Sequence, residues 1–410
     1  MKILLLPVYF QPEIVASSYL RDDRNEAFIK EGYFIEIHAP SPSRGISKKI
    51  RNGYKKKKVE HLYDGKLVIN RFSLFQEGKS SIIRVLRYTF CCVIQFYKGW
   101  RVKNIDVMFI TSTPPIQGAM AALLKKIKKV PFIYNLQDIF PDSLVGTGLT
   151  KKGSFLWKIG RTIEDFTYRN ADKIIVISED FKRNIIEKGV PENKIEVIYN
   201  WVNEREVVNV SRENNKLFDK YNLDRKQFYV TYCGNIGLTQ NLDLLLEVAK
   251  ELEPIRDIHF VLIGEGVYKE KLEKLICKND IINIALLPFQ PYEDISHVFS
   301  LGNVSLVISK PGTGLNSLPS KTWSIMSAER PVLASFDENE LKQIINDNNC
   351  GIFVKAGDKI ALKDAIFYLY DNRKEAQIFG RNGREFVMKN LTREIGTAKY
   401  VNVIKQFAPL

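Results

Sequence analysis

Residues Leu318–Ser335 read LPSKTWSIMSAERPVLAS, with Ser320 and Lys321 directly ahead of a helical pattern and Pro331 opening an apolar run. A lysine at a helix mouth adds its charge to the free N–H groups of the first turn, and both act on the same anion. The plainer reading is a solvated lysine at a helix start. Its neighbours argue for the anion. Upstream lie CGNIGLTQNLDLLLE from Cys233, LIGEG from Leu262 and KPGTGLNSLPSK from Lys310. Each places glycines where a strand turns toward a helix, and glycine lets backbone approach a ligand closely. Gly234 and Gly237 alone fit an ordinary strand–helix turn. Three such loops at successive strand ends are far more specific.

The elements that must position these loops alternate along the chain. Apolar runs predict strands at 3–6, 34–38, 107–110, 132–136, 173–177 and 195–199, then at 229–232, 259–263, 284–287, 304–308, 331–334 and 351–354. Helical patterns such as Leu242–Leu252 lie between them. Strand–helix alternation predicts an α/β protein with two Rossmann-like, doubly wound parallel-sheet domains facing a central cleft. The polar stretch Asn200–Asn214 marks the expected boundary. The expected domains are 1–200, 201–382 and a C-terminal helix over 383–410 that packs back on the first. Ligands sit beyond the carboxyl ends of such strands.

Composition narrows the class. The 410 residues are 45% hydrophobic and 26% charged, as expected for a folded globular protein. Five scattered cysteines imply reduced thiols and no disulfide framework. Met1–Phe10 reads as a buried strand, lacking a basic region and a cleavage site. No run reaches the ~18 uncharged apolar residues of a membrane span, so a cytoplasmic protein is expected. The net charge of +14 resides in residues 1–200, with 34 Lys or Arg against 20 Asp or Glu. Residues 48–103 alone carry 15 against 3. Such a face is either merely solvated or meets an anionic partner.

In order, GNIG…Q, LIGEG, LPSK…RPVLAS and CGIFVKAGD resemble the nucleotide-sugar half of retaining family 4 glycosyltransferases of the GT-B fold. YFQPEIVASS, ITSTPP, NLQDIFPDS and ADKIIVIS resemble the first half of bacterial polysaccharide-building members. The resemblance implies transfer of a hexose or N-acetylhexosamine from a nucleotide diphosphate sugar, UDP-linked, with retention. The expected acceptor is lipid-linked or a precursor of capsule, O-antigen or exopolysaccharide. No cofactor and no metal are expected, in keeping with the lack of an Asp-x-Asp motif. The donor would meet Gly234, Asn235, Gly237, Gln240, Gly264, Glu265, Phe289, Gly314, Leu315, Asn316, Ser320 and Lys321. Pro12, Ser17, Ser18 and Asp138 would face the acceptor, with Asp138 and Lys321 as the catalytic pair. Lys321 stabilises the departing phosphate, whose oxygen can serve as the base in front-face transfer.

This chain departs from the family where Asn235 and Gln240 replace a basic pair. It departs again where Asn316 and Ser324 stand at the family's Glu-x7-Glu positions. Asp138 has two readings, a cap for the helix near Pro141 or a carboxylate oriented toward the acceptor hydroxyl. None of the four histidines stands out as a base.

Along residues 82–101, Ile82, Leu86, Phe90, Val93, Tyr97 and Trp100 fall within about 80° of a helical projection. Arg84, Arg87, Lys98 and Arg101 flank them. The stripe either packs on the N-terminal sheet or, helped by KKIRNGYKKKK at 48–58, docks on the anionic inner face of the membrane as a peripheral contact. Nucleic acid is not an expected partner, because no base-reading module is present. Two further readings stay open, a nucleotide-sugar epimerase of this architecture and a membrane-bound binding protein that has lost turnover.

Overall fold

A computed structural model describes residues 1–13, 18–77, 81–146, 148 and 150–408. The chain divides into two units, Met1–Tyr199 with Gly396–Leu410, and Asn200–Ile395.

In the first unit the order is β1 (Lys2–Leu5), α1 (Ser18–Lys30), β2 (Phe34–Pro40), α2 (Lys48–Lys56), β3 (Val59–Leu62), β4 (Leu67–Phe72) and α3 (Ser81–Arg101). There follow β5 (Val107–Thr111), α4 (Ile116–Lys128), β6 (Phe132–Leu136), α5 (Asp142–Gly146), α6 (Phe155–Asn170), β7 (Lys173–Val176), α7 (Glu179–Glu187) and β8 (Ile195–Val197). The eight strands form one sheet in the order β3-β4-β2-β1-β5-β6-β7-β8. All pairs are parallel except β3 with β4. The sequence reading had no strand at β3 or β4 and no antiparallel edge, so the expected all-parallel sheet is corrected there. Leu4, Met108, Phe132, Ile174 and their neighbours are buried, so the central strands are covered on both faces as a parallel sheet requires.

Right-handed crossovers carry α3, α4 and α6 over one face as the chain steps through β4, β5, β6 and β7. They lie side by side and close together: a Cβ at Gly99 of α3 would meet Leu124 of α4 at 2.8 Å. One at Gly118 of α4 would meet Thr167 of α6 at 2.3 Å. Tyr400, near the C-terminus, packs in this unit too, its hydroxyl 3.1 Å from Asn135 Oδ1 and its ring 6.0 Å from that of Phe109.

In the second unit come α8 (Leu217–Lys220), β9 (Phe228–Cys233), α9 (Leu242–Leu252), β10 (Ile258–Ile263), α10 (Lys269–Lys278), β11 (Ile284–Leu287) and α11 (Ile295–Phe299). Then β12 (Val304–Ile308), α12 (Lys321–Ser327), β13 (Val332–Phe336), α13 (Glu340–Asp347), β14 (Gly351–Lys355), α14 (Lys359–Asp371) and α15 (Arg373–Asn390) follow, with α16 (Arg393–Lys405) closing the chain. The sheet is fully parallel, ordered β11-β10-β9-β12-β13-β14. The C-terminal helix expected over 383–410 is two helices. They break at Leu391–Thr392, where Leu391 is buried and Thr392 Oγ1 accepts the Ile395 N–H to start the second.

Candidate active site

β9 runs straight into Gly234, which holds φ +144°, a region that favours glycine. Its N–H donates to Ile263 O at 3.0 Å, and Ile236 N–H donates to Glu265 O at 2.9 Å. The loops after β9 and β10 are thereby laced together. Gly264 and Gly266 serve that lacing: a Cβ on them would sit 1.9 Å from Gly234 O and 2.1 Å from Ile236 O. A Cβ on Gly237 would meet only side-chain ends, Asn235 Nδ2 at 2.6 Å and Gln240 Oε1 at 2.7 Å. That Gln240 oxygen is sealed from solvent and has no hydrogen-bond partner among the described residues. Glu265, expected at the donor, has its carboxylate paired with Lys269 at 2.7 Å.

Lys321 opens α12, and its Nζ stands 4.0 Å from the ring centroid of Tyr232. A Cβ on Gly234 would come within 3.3 Å of the same atom. No carboxylate lies within 4 Å of it among the described residues. Burial pushes this lysine down to about 8, with neighbouring Cys233 acting the other way. Burial also drives the Cys233 thiol up to about 11. Tyr232 donates its hydroxyl to Asn235 O at 2.6 Å, so one side chain both stacks under the ammonium and fixes the glycine loop. Ser320 makes no side-chain capping bond, which leaves its hydroxyl unused by the helix.

The third loop is clamped from β13. Asp337 accepts Gly312 N–H at 2.9 Å and Gly314 N–H at 2.7 Å, one on each carboxylate oxygen. Asn339 Nδ2 donates to Gly314 O at 3.1 Å and Ser317 O at 2.8 Å. Lys310 N–H reaches Thr239 O at 2.7 Å, which ties this loop to the one after β9. Gly314 lies against Phe336, where a Cβ would meet the ring at 2.6 Å. Leu315 is exposed, as is Phe289 at 69%. Tyr232, Asp337 and Asn339 went unnoticed in the sequence. The signal was there for the last two, since Asp and Asn directly after a strand commonly bond nearby backbone.

In the first unit Asp138 follows β6. Its Oδ2 accepts the Ser143 hydroxyl at 3.1 Å. Crowding by protein atoms raises the carboxyl above its usual range, while Ser143 and the Ile139 N–H pull it back. Pro12 lies in the loop after β1 and Ser18 begins α1; Ser17 lies outside the described residues.

On α3 the apolar stripe faces outward: Ile82 is 72% exposed, and Leu86, Phe90, Val93, Tyr97 and Trp100 are exposed as well. Arg84 pairs with Glu77 at 3.0 Å, Arg101 lies 4.2 Å over the Tyr97 ring, and Lys98 is half-buried. Arg87, expected on this face, corrects the reading. It is 0% exposed and turned inward, donating to Phe75 O at 3.3 Å and Ser43 Oγ at 3.0 Å. It stands one helical turn before Cys91 and two before Gln95, both buried, and so belongs to their face.

Two doubly wound sheets, one gathering three glycine loops around a lysine at its strand ends, have the architecture of the GT-B class. Residues 213–386 match glycosyl transferases group 1, and residues 26–206 match Glycosyltransferase Family 4. The chain belongs to the family 4 glycosyltransferases. Among its relatives is the putative colanic acid biosynthesis glycosyl transferase WcaI of Escherichia coli K12, 23% identical over 99% of this chain and 100% of the relative. The probable glycosyltransferase WbjE of Pseudomonas aeruginosa is 24% identical over 74% of this chain and 76% of its own length. Among solved structures, sucrose-phosphate synthase of Thermosynechococcus elongatus superposes with a TM-score of 0.76 at 15% identity, covering 99% of this chain and 98% of that one. Anabaena HepE, solved with UDP, gives 0.74 at 12% identity over 99% and 100%.

Proposed function

We propose that this chain transfers a sugar, with retention and without a metal, from a UDP-sugar to a lipid-linked acceptor in bacterial surface-polysaccharide synthesis. The observation that carries the donor half is Lys321, a cation with no carboxylate partner among the described residues, set among three glycine-bearing loops at strand ends. A diphosphate supplies the charge that site lacks, and the ammonium stabilises it best as the sugar bond breaks. HepE, which shares the fold, has been solved with UDP and with UDP-glucose, which supports uracil as the base. WcaI bears the name of a polysaccharide pathway, which supports the acceptor class.

The membrane part of this reading rests on the outer face of the first unit. Beside the α3 stripe, Leu123 and Ile127 on α4 and Phe155, Leu156 and Ile159 on α6 are exposed. Residues 81–101, 116–128 and 151–159 contain ten Lys or Arg and no Asp or Glu. Exposed apolar side chains on stretches whose only charges are basic fit an anionic lipid surface. No helix among the described residues is long and apolar enough to cross a membrane, so the contact would be peripheral.

The deciding experiment titrates UDP and GDP in chelator while following the melting temperature. A ligand that binds only the folded chain raises it with concentration. Saturable stabilisation by UDP supports the reading, and none by either nucleotide overturns it.

A further inference from the structure

The loop from Ser41 to Ser47 leaves the carboxyl end of β2 and enters α2, whose first turn holds no acidic residue. Two arginine side chains meet at Ser43, with a third arginine next to it in the chain. Arg87 donates to its Oγ at 3.0 Å and Arg51 to its carbonyl at 3.1 Å, and Arg44 follows it in sequence. Among the described residues none of the three has a carboxylate within 4 Å. Arg87 is completely buried, and its Nε–H, like that of Arg51, is sealed from solvent without a partner among the described residues. Arg44 is exposed; its guanidinium stacks 5.3 Å from the Tyr9 ring and makes no hydrogen bond within the described protein.

Two carboxylates lie near. Glu13 is 1% exposed, and its Oε1 is engaged by Ser43 N–H at 2.7 Å and Arg44 N–H at 2.8 Å. Glu77 is occupied by Arg84 at 3.0 Å and by the Tyr9 hydroxyl at 2.6 Å. Buried charge is normally paired, and Arg87 is buried without a carboxylate within 4 Å among the described residues, so the cluster has room for an anion from outside. Guanidinium groups and a helix N-terminus together select phosphate oxygens.

What adjoins the cluster narrows the ligand further. Arg87 bridges Ser43 to the carbonyl of Phe75, and the Phe75 ring stacks edge-on against Phe90 of α3 at 5.9 Å. Both rings are exposed and continue into the outward apolar stripe. A phosphate with a hydrocarbon chain would match that sequence of surfaces.

We propose that the β2–α2 loop is the acceptor's phosphate site, with Arg44 and Arg51 contacting the phosphate, Arg87 bracing the loop from beneath, and the Phe75–Phe90 side receiving the lipid chain. This rests on reading the chain as a transferase for lipid-linked acceptors. Bulk lipid headgroups share the phosphate chemistry, so the test separates them from the acceptor. Full-length chain is bound to phosphatidylcholine vesicles doped with polyprenyl phosphate, with phosphatidylglycerol at matched charge, or with polyprenol. The wild type should prefer polyprenyl phosphate over phosphatidylglycerol by ~10-fold or more, the scale of one charge-assisted hydrogen bond. Arg44→Gln with Arg51→Gln should erase that preference while phosphatidylglycerol binding and UDP stabilisation persist. If the double variant loses UDP stabilisation through misfolding, Arg44→Gln alone, at an exposed position, should still reduce the preference. Equal wild-type binding to both anionic lipids overturns the site, as does a preference that survives both substitutions. Loss of the proposed donor activity would instead appear as absent UDP stabilisation in the wild type.

Discussion

Lys321 Nζ stands 4.0 Å from the ring centroid of Tyr232, and the Tyr232 hydroxyl in turn holds the carbonyl of Asn235. One aromatic residue thus sets the distance between the site's cation and its first glycine loop. A ring face attracts an ammonium by about 0.5–2 kcal/mol, less than an ion pair in a closed site, so the charge stays available to a phosphate. Lys321→Ala should lower sugar-transfer turnover by about 10²-fold or more, the scale for one preorganised charge-stabilising donor. Steady-state kinetics at saturating donor, with a melting curve as the folding control, measures it. Near-wild-type turnover would remove Lys321 from the mechanism.

The same burial gives the site a pH dependence. Free of ligand, Lys321 is held down to about 8 by its burial. A diphosphate prefers the cation and therefore holds the lysine's proton to higher pH, so binding above this value must take up a proton. UDP affinity should weaken as pH rises through 8, by up to about tenfold per unit. Isothermal titration between about pH 7 and 10 reads it directly. Lys321→Ala, titrated in parallel, shares the nucleotide's own ionisation and should show no such fall.

Two glycines should separate binding from folding. At Gly237 an added side chain displaces only the ends of Asn235 and Gln240, so Gly237→Val should fold normally and lose UDP stabilisation. At Gly264 an added methyl meets the backbone carbonyl of Gly234 at 1.9 Å. Gly264→Ala should then cost stability itself, about 1–3 kcal/mol as for other overpacked sites. Chemical denaturation of the two variants tells them apart.

Asp337 is a positioning residue for the loop over 310–317, through the N–H groups of Gly312 and Gly314. Asp337→Asn keeps the shape but turns one acceptor into a donor facing a donor. The KM for the nucleotide sugar should rise by ~10-fold, the worth of one hydrogen bond to a charged group. We propose that Gly314, Leu315 and Asn316 in this loop face the donor sugar, so affinity for UDP alone should hardly change. An equal loss for UDP would place the loop over the nucleotide instead.

The second unit was the more legible half in sequence. Its strands are unbroken apolar runs, such as Val304–Ile308, each ended by a glycine-bearing loop or a polar stretch, because both faces of that sheet are covered. In the first unit the basic run over 48–58 masked α2, and β3 and β4 behind it alternate too weakly to stand out. A turn signal was present: Tyr63, Asp64 and Gly65 all take positive φ between those strands, and Asp-Gly is a hairpin dipeptide. Lys321 and the glycines could be named from local pattern alone. Tyr232 and Asp337 could not, since each acts on a loop that only the folded sheet brings beside it. Arg87 failed for the opposite reason. Helical projection placed it beside the stripe, and the partners that draw it inward, Ser43 and Phe75, are distant in sequence.

That contrast on one helix gives the last test. Phe90 and Trp100 are exposed on the apolar face of α3, whereas Arg87 is sealed behind it. Burying each aromatic in a lipid interface is worth roughly 1.5–3 kcal/mol, so Phe90→Glu with Trp100→Glu should abolish co-sedimentation with phosphatidylglycerol vesicles and leave the melting temperature nearly unchanged. Arg87→Met should do the reverse. It strands the Phe75 carbonyl and the Ser43 hydroxyl, at about 1–3 kcal/mol for an unsatisfied buried group, and lowers the melting temperature. Below that temperature it should bind the same vesicles as the wild type does. If instead Arg87→Met weakens phosphatidylglycerol binding as much as the aromatic pair does, the inward placement of this arginine is wrong. If the aromatic pair sediments like the wild type, the outward face of α3 meets something other than lipid.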